Sequence, residues 1–317
     1  MRQPSPTSTV IADAASGNLV DRLAPPALQP YLKLARFDRP IGAWLLLFPC
    51  WWSLALAELA RGSAFPDPWH AALFAIGAFV MRGAGCTWND IVDRDYDASV
   101  ARTALRPIPA GQVSVGQALA FGIGLSLVGL LVLIQFNRFT ILLAIASLLL
   151  VASYPFAKRY TFWPQVVLGL TFKWGALVGW AAVFGSLAAA PLALYAGAVL
   201  WTIGYDTIYA HQDKEDDALL GLKSTALRLG AASYKWITGF YAGALALWAL
   251  AVSLAGAGWP TWAGLALAGL HLAWQVRTLD IDSPDNCLVR FKSNRAVGWV
   301  LFLALAADMA LGAFARA

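Results

Sequence analysis

"WHAALFAIGAFVMRGAGCTWNDIVDRDYD", residues 69–97, is the stretch whose reading settles the fold class. Residues 69–88 form an apolar run of about 20 residues, which at 1.5 Å per residue crosses a bilayer core of roughly 30 Å. The nine residues that follow hold four aspartates, Asp90, Asp93, Asp95 and Asp97. A greasy helix that turns abruptly acidic ends at a membrane surface, and carboxylates gathered there need something to hold.

The rest of the chain has the same character. It is 59% hydrophobic and 13% charged, with a mean hydropathy of +0.62. A soluble domain carries roughly 25% charged residues, so the deficit points to a membrane protein and argues against a soluble two-domain reading. The net charge of +5 suits anionic lipid headgroups and an anionic substrate alike. The basic residues are scattered between apolar runs and form no stripe, which argues against a nucleic-acid partner. Cys50, Cys86 and Cys287 sit in separate segments without CxxC spacing and read as buried thiols. A monomer is compatible with the chain.

Residues 1–29 are rich in Pro, Ser, Thr and Ala, include Asp13 and Asp21, and contain no apolar core. They read as a disordered tail and not as a signal or transit peptide. Residues 30–317 read as one all-α membrane domain. Its nine spans run roughly 41–60, 69–88, 115–136, 139–156, 164–184, 191–210, 235–255, 260–277 and 296–315. Trp51, Trp52, Trp69, Trp163, Trp201 and Trp259 fall near span ends, as an interfacial belt requires. The basic residues are one-sided. The tail holds Arg2, Arg22, Lys33, Arg36 and Arg39, and the even-numbered loops hold nearly all the others, from Arg94 and Arg102 to Arg295. The opposite side has Arg61, Arg138 and Arg316. The positive-inside rule then places the N-terminus and the long loops in the cytoplasm and the C-terminus opposite. The expected location is a bacterial inner membrane. Arg82 and Lys173 lie inside spans, where a charge costs about 2.5–3.5 kcal/mol on insertion scales, so each should face a cavity or partner.

A second acidic segment, "YDTIYAHQDKEDD" at 205–217, closes the sixth span. Together the two segments hold half of the 18 acidic residues. At 100° per residue Asn89, Asp93 and Asp97 fall within about 80° of one helix face, and Asp206, Asp213 and Asp217 within about 40°. Asp93 and Asp97 precede Asp213 and Asp217 by 120 residues, and "TALR" recurs at 103–106 and 225–228, 122 residues apart. Near-equal offsets suggest a four-helix unit used twice. Carboxylates so gathered repel one another. Mg²⁺ relieves that, typically taking one or two carboxylates and sharing its other positions with phosphate and water. Two stripes with phosphate between them make a Mg²⁺–diphosphate site. Arg102, Arg106 and Lys223, which follow the stripes, are placed to clamp the diphosphate oxygens left over. The loops carrying them, about 25 residues each, are long enough to cap the site.

At these residues the chain resembles the UbiA family of intramembrane aromatic prenyltransferases. The pattern N-D-x-x-D-x-x-x-D is met by Asn89, Asp90, Asp93 and Asp97, and D-x-x-Y-A-x-x-D-x-x-D-D by Asp206, Tyr209, Ala210, Asp213, Asp216 and Asp217. "RFDRPIGAWLLLFP", "MRGAGC", "YPFAKRYTFWPQ", "GLKSTA" and "FKSNRAVG" resemble the branch acting on 4-hydroxybenzoate. The resemblance runs from about Tyr31 to the last span. It implies nine transmembrane helices around a central cavity with cytoplasmic cap loops. The implied reaction moves a polyprenyl group from its diphosphate to the ring carbon ortho to the hydroxyl of 4-hydroxybenzoate, in ubiquinone biosynthesis. Asn89, Asp93, Asp97, Asp206, Asp213 and Asp217 would hold Mg²⁺–diphosphate, Arg36 and Lys158 would touch phosphate, and Arg82 or Arg159 would receive the acceptor's carboxylate. Lys173 departs from the family pattern, which has a small or neutral polar residue there.

The residues suit that chemistry. Metal and cations neutralise departing diphosphate while an allylic carbocation develops. Tyr154, Tyr205 and Tyr209 lie at a depth from which ring faces can stabilise it, and Asp206 is the candidate to deprotonate the phenol. Arg82 precedes Asn89 by two helical turns and about 10.5 Å, pointing the same way within about 20°. That leaves room for an aromatic ring between guanidinium and metal. Lys173 competes for this role with only a point charge. His211, inside the second motif, reads as solvated, since Mg²⁺ prefers oxygen. His70 and His271 read as packing residues, and Asp308 has no assigned role. A transporter is the rival from another class, and other quinone- or pigment-pathway acceptors are the alternatives within the enzyme class. Against transport, the carboxylates gather at one membrane face and no pair of broken helices lies at the midplane.

Overall fold

The computed structural model describes residues 17–100 and 103–315. Among these the secondary structure is entirely helical. Two short helices, α1 (Leu19–Leu23) and α2 (Gln29–Leu34), precede α3 (Ile41–Arg61) and α4 (Pro68–Val92). A one-turn α5 (Arg94–Asp97) leads to α6 (Val115–Leu133), then α7 (Arg138–Ala146), α8 (Leu148–Ser153) and α9 (Ala157–Tyr160). After α10 (Pro164–Phe172) and α11 (Gly175–Phe184) comes α12 (Ala189–Ala210), followed by the short α13 (Lys214–Leu219) and α14 (Thr225–Leu229). The chain closes with α15 (Ser233–Leu254), α16 (Trp259–Arg277) and α17 (Pro284–Phe314).

Each expected span falls mostly on helix, with breaks at 147 and 173–174, and seven stretches among the described residues are long and apolar enough to cross a membrane. They are Ile41–Arg61, Pro68–Val92, Val115–Leu133, Arg138–Tyr160, Pro164–Phe184, Thr225–Leu254 and Pro284–Phe314. Helices α12 and α16, which fill the two remaining expected spans, are 22 and 19 residues long and are not among the seven. Of the expected disordered tail, residues 1–16 lie outside the described residues. From Gly17 the chain is structured. The Asn18 side chain caps α1 by accepting from the Val20 and Asp21 amides, and Lys33 reaches Asp21 at 2.7 Å. Local capping of this kind forms helix without an apolar stretch, and composition alone does not reveal it.

The chain divides into two compact units, one running up to Gly42 and taking in Phe79–Leu131, the other taking in Ala43–Ala78 and the residues from Val132 onward. In the first, Leu34, Ile91, Val113 and Ala118 form a core against which Tyr31, Ile108 and Phe121 pack. Ile91 lies within the acidic motif, so this core fixes the end of α4. In the second, α12 packs along α15, and α16 along α17. Trp52, Trp201 and Trp248 meet with ring centroids 5.3–5.7 Å apart. Trp52 Nε1 donates to the Gly298 carbonyl at 2.9 Å, satisfying an indole that is 1% exposed. At Gly179 α11 lies so close to α3 that a Cβ would sit 2.5 Å from the Cys50 carbonyl oxygen. Such contacts replace the hydrophobic drive that helices in lipid lack.

Candidate active site

The acidic stripe of the first motif does not lie on one continuous helix. Helix α4 ends at Val92, Asp93 leaves helical geometry (φ −98°, ψ 5°), and α5 restarts at Arg94. Asn89 Nδ2 spans the break to Asp93 Oδ2 at 3.0 Å, and the Asp97 amide donates to the Asp93 carbonyl at 2.8 Å. Asp97 is buried, and its Oδ2 takes Arg106 Nη1 at 2.6 Å. Arg106 also lies 3.3 Å from Asp90 Oδ1, which receives Arg36 Nη2 at 2.5 Å. Burial pushes the Asp97 carboxyl above its ordinary pKa, and Arg106 opposes that shift. Arg36 has φ 63°, the one positive value among the described non-glycine residues. A strained backbone at a cation aimed into an acidic motif is a mark of a functional site. Arg102 lies outside the described residues.

The second unit repeats this local design. Helix α12 ends at Ala210, Asp213 breaks the helix (φ −111°, ψ 5°), and α13 begins at Lys214. The Asp217 amide donates to the Asp213 carbonyl at 2.8 Å. Asp217 is buried, and Lys158 Nζ lies 3.3 Å from its Oδ1. Each motif thus has an aspartate at a helix break and, four residues on, a buried aspartate holding a cation. The "TALR" segments do not share that likeness: 103–106 is a run of turns, whereas 225–228 lies in α14. The Lys223 amide donates to the Lys158 carbonyl at 2.9 Å, and its Nζ reaches the Tyr160 carbonyl at 3.2 Å. Lys158 and Lys223 are therefore neighbours.

Other candidates sit as follows. Asp206 is half-buried in the last turns of α12. Tyr209 faces Phe291 of α17 with centroids 4.5 Å apart, and Tyr205 meets the same ring at 5.7 Å. Arg159 lies over Phe156 at 5.3 Å, and Tyr154 faces Phe172 at 6.3 Å. The Arg82 guanidinium packs on Gly42, where a Cβ would stand 2.7 Å from Nε. Lys173 is fully buried with its Nζ 2.6 Å from the Leu45 carbonyl oxygen. His211 is buried, not solvated. Its Nε2 pairs with Ser233 Oγ at 2.9 Å, and burial lowers its pKa to about 4, so it packs as a neutral ring. His271 pairs with Ser293, and His70 stacks on Phe136. Sequence reasoning gave Asp90 no separate role, although it anchors two arginines. Asp90 was legible as the second letter of N-D-x-x-D. It also passed over Phe291, for which only the quoted "FKSN" was a signal.

The residues fit a metal carried in by its ligand. Among the described residues no three His, Cys, Asp or Glu side chains gather closely enough to hold an ion by themselves. Carboxylate and amide oxygens are nonetheless the hard donors Mg²⁺ takes, and its habit of sharing coordination with phosphate requires only one or two per site.

The UbiA prenyltransferase family matches residues 46–306. A mouse (Mus musculus) protein described as mitochondrial 4-hydroxybenzoate polyprenyltransferase is 50% identical over 306 residues, covering 96% of this chain and 81% of its own. The human (Homo sapiens) protein of the same description is 50% identical, covering 89% and 76%. The apo structure of a UbiA homologue from Aeropyrum pernix superimposes with a TM-score of 0.70 at 27% identity, covering 83% of this chain and 98% of that one. A UbiA homologue from Archaeoglobus fulgidus, bound to GPP and Mg²⁺, gives 0.62 at 20% identity over 88% and 99%, a likeness of fold. These relatives correct the expected location. Proteins sharing half their residues with this chain, in animals and in Arabidopsis thaliana, are mitochondrial. They point to a mitochondrial membrane instead of a bacterial inner membrane. The charge asymmetry distinguishes the two faces of a bilayer and carries no information about which bilayer it is. With the family pattern matched along most of its length and both acidic motifs in place, the chain belongs to the UbiA prenyltransferase family.

Proposed function

We propose that this chain transfers a polyprenyl group from polyprenyl diphosphate to the ring carbon ortho to the hydroxyl of 4-hydroxybenzoate, in ubiquinone biosynthesis, with Mg²⁺ as cofactor. The observation that carries the reading is the twice-used local design, an aspartate at a helix break followed by a buried, cation-bearing aspartate. Half-identity to relatives described as 4-hydroxybenzoate polyprenyltransferases supports the acceptor.

Each side chain then has a task. Asn89, Asp93, Asp97, Asp206, Asp213 and Asp217 would present oxygens to the metal–diphosphate. Arg36, Arg106, Lys158 and Lys223, with Arg102, hold diphosphate oxygens. Asp90, Asp97 and Asp217 keep three of these cations in place until the diphosphate arrives. Bound Mg²⁺ supplies charge neutralisation of the leaving diphosphate. Arg82, packed on Gly42, grips the acceptor carboxylate with two parallel hydrogen bonds and so orients the ring; Arg159 is the alternative. Tyr209 with Phe291 offers aromatic surface to the allylic cation, and Asp206 takes the phenol proton. Purified protein supplied with polyprenyl diphosphate, Mg²⁺ and a panel of aromatic acceptors should prenylate 4-hydroxybenzoate and stop when Mg²⁺ is chelated. Transfer to another acceptor in preference, or transfer unaffected by chelation, sinks the reading.

A further inference from the structure

The second acidic motif sits in a loop whose two ends are fastened to each other. Helix α12 stops at Ala210, and the chain comes back at Thr225, the first residue of α14. Between them, residues 211–224 carry Asp213, Asp217 and Lys223. The return is fixed at Thr225. Its Oγ1 lies 2.8 Å from Oγ1 of Thr207, which follows Asp206 on α12, one turn before the loop leaves that helix. Its amide donates to Gln165 Oε1, in the first turn of α10, at 3.3 Å. Thr207 and Thr225 are both 0% exposed.

The hydroxyl pair has a direction. Thr207 Oγ1 donates its single proton to the Ile203 carbonyl at 2.6 Å, so the proton between the two hydroxyls belongs to Thr225. A hydrogen-bond chain thus runs from Thr225 through Thr207 into the backbone of α12, and away from water such bonds hold more strongly. The neighbouring residues are set as well. Ser224 Oγ caps α14 by accepting from the Leu227 amide at 3.3 Å. The loop of the first motif is closed by different chemistry: Ile91 before it and Val113 after it belong to one apolar core.

We propose that Thr207 and Thr225 are positioning residues for the reaction proposed above, a clasp that keeps the loop 211–224 shut. The inference rests on that reading. Asp206 adjoins one half of the clasp and Lys223 stands two residues from the other, so the hydroxyl pair fixes the two ends of the second motif against each other. Opening such a loop is a local event, separate from global unfolding. A ligand that needs it closed binds with an affinity reduced by the fraction of molecules in which it is closed. Loss of the clasp therefore falls on prenyl diphosphate and on the Mg²⁺ requirement. At saturation the bound diphosphate itself holds the loop shut, and turnover survives.

The test uses the full chain in lipid nanodiscs. Hydrogen exchange without substrate should find the amides of 211–224 exchanging sooner in Thr225→Val than in wild type, with those of α15 unchanged. Mg²⁺ with geranyl diphosphate should restore their protection. With 4-hydroxybenzoate as acceptor, Thr225→Val should raise the KM for geranyl diphosphate about tenfold. The KM for 4-hydroxybenzoate and kcat at saturation should stay near wild type. Thr225→Ser, which keeps the hydroxyl, should return both readouts to normal. Should Thr225→Val not fold, Thr207→Val removes the other half and carries the measurement. The double variant should be no worse than the worse single one, because the two hydroxyls make one contact. Wild-type exchange over 211–224 in a folded valine variant overturns the clasp, and so does the absence of rescue by serine. Failure of wild type to prenylate 4-hydroxybenzoate would instead overturn the proposed function, and the exchange measurement would still decide the clasp.

Discussion

In α17 the Asp308 carboxylate accepts from the Gly258 amide at 2.7 Å and the Thr261 hydroxyl at 2.6 Å. It thereby supplies, from a neighbouring helix, the cap that α16 lacks in its own sequence, since Gly258 has no side chain to cap with. Asp308→Ala should cost about 1–3 kcal/mol, because it leaves a buried hydroxyl and a half-buried amide unmet. A thermal melt in detergent would read that loss, while turnover per folded molecule stays near normal. Asp308→Asn, whose amide oxygen still accepts, should lose less; equal loss in both would mean the charge and not the cap matters. Gly42 makes a second residue-scale case. A methyl group there would stand 2.7 Å from Arg82 Nε and 2.8 Å from Nη2. On the proposed role of Arg82, Gly42→Ala should raise the KM for 4-hydroxybenzoate about tenfold, ~1.4 kcal/mol, and leave that for prenyl diphosphate nearly unchanged. An unchanged acceptor KM would detach Arg82 from the acceptor.

At the scale of elements, the proposed function lets the helix breaks at Asp93 and Asp213 divide the main work of each motif in two. The break residue presents its carboxylate where the helix stops, and the next aspartate, one turn on, is buried against a cation. Asp93→Asn and Asp213→Asn should therefore cut kcat at least about a hundredfold at limiting Mg²⁺. Asp97→Asn and Asp217→Asn should act mainly on the KM for prenyl diphosphate, by releasing Arg106 and Lys158. Four variants with the same profile would refute the division. The paired motifs were legible from the sequence because identical spacing at a fixed offset survives any detail of geometry. The breaks were not. Asp93 and Asp213 keep helical phase with their neighbours, so periodicity runs straight through them, and only the backbone angles show the interruption. Asp308 was unreadable for a related reason: its partners lie 47 and 50 positions away.

For the molecule as a whole, seven of the nine expected spans fall on stretches long and apolar enough to cross a membrane among the described residues, since apolar length is a bulk property that needs no knowledge of neighbours. Hydropathy did not rank those stretches by what surrounds them. Of the stretches able to span a membrane, Ile41–Arg61 is 72% buried within the protein, whereas Val115–Leu133 is 6% buried and Arg138–Tyr160 is 11%. Yet the two exposed stretches are the more hydropathic, at 2.0 and 2.1 against 1.5. For α6, α7 and α8 the surrounding hydrocarbon takes the place of tertiary structure, so a change of solvent is for them a change of fold partner. Transferred from a bilayer nanodisc to a short-chain detergent micelle, their amides should take up deuterium first, while those of α3 stay protected. Equal uptake across α3, α6, α7 and α8 would mean that α6, α7 and α8 hold without lipid. Otherwise the bilayer is a structural subunit of this protein, and purification removes it.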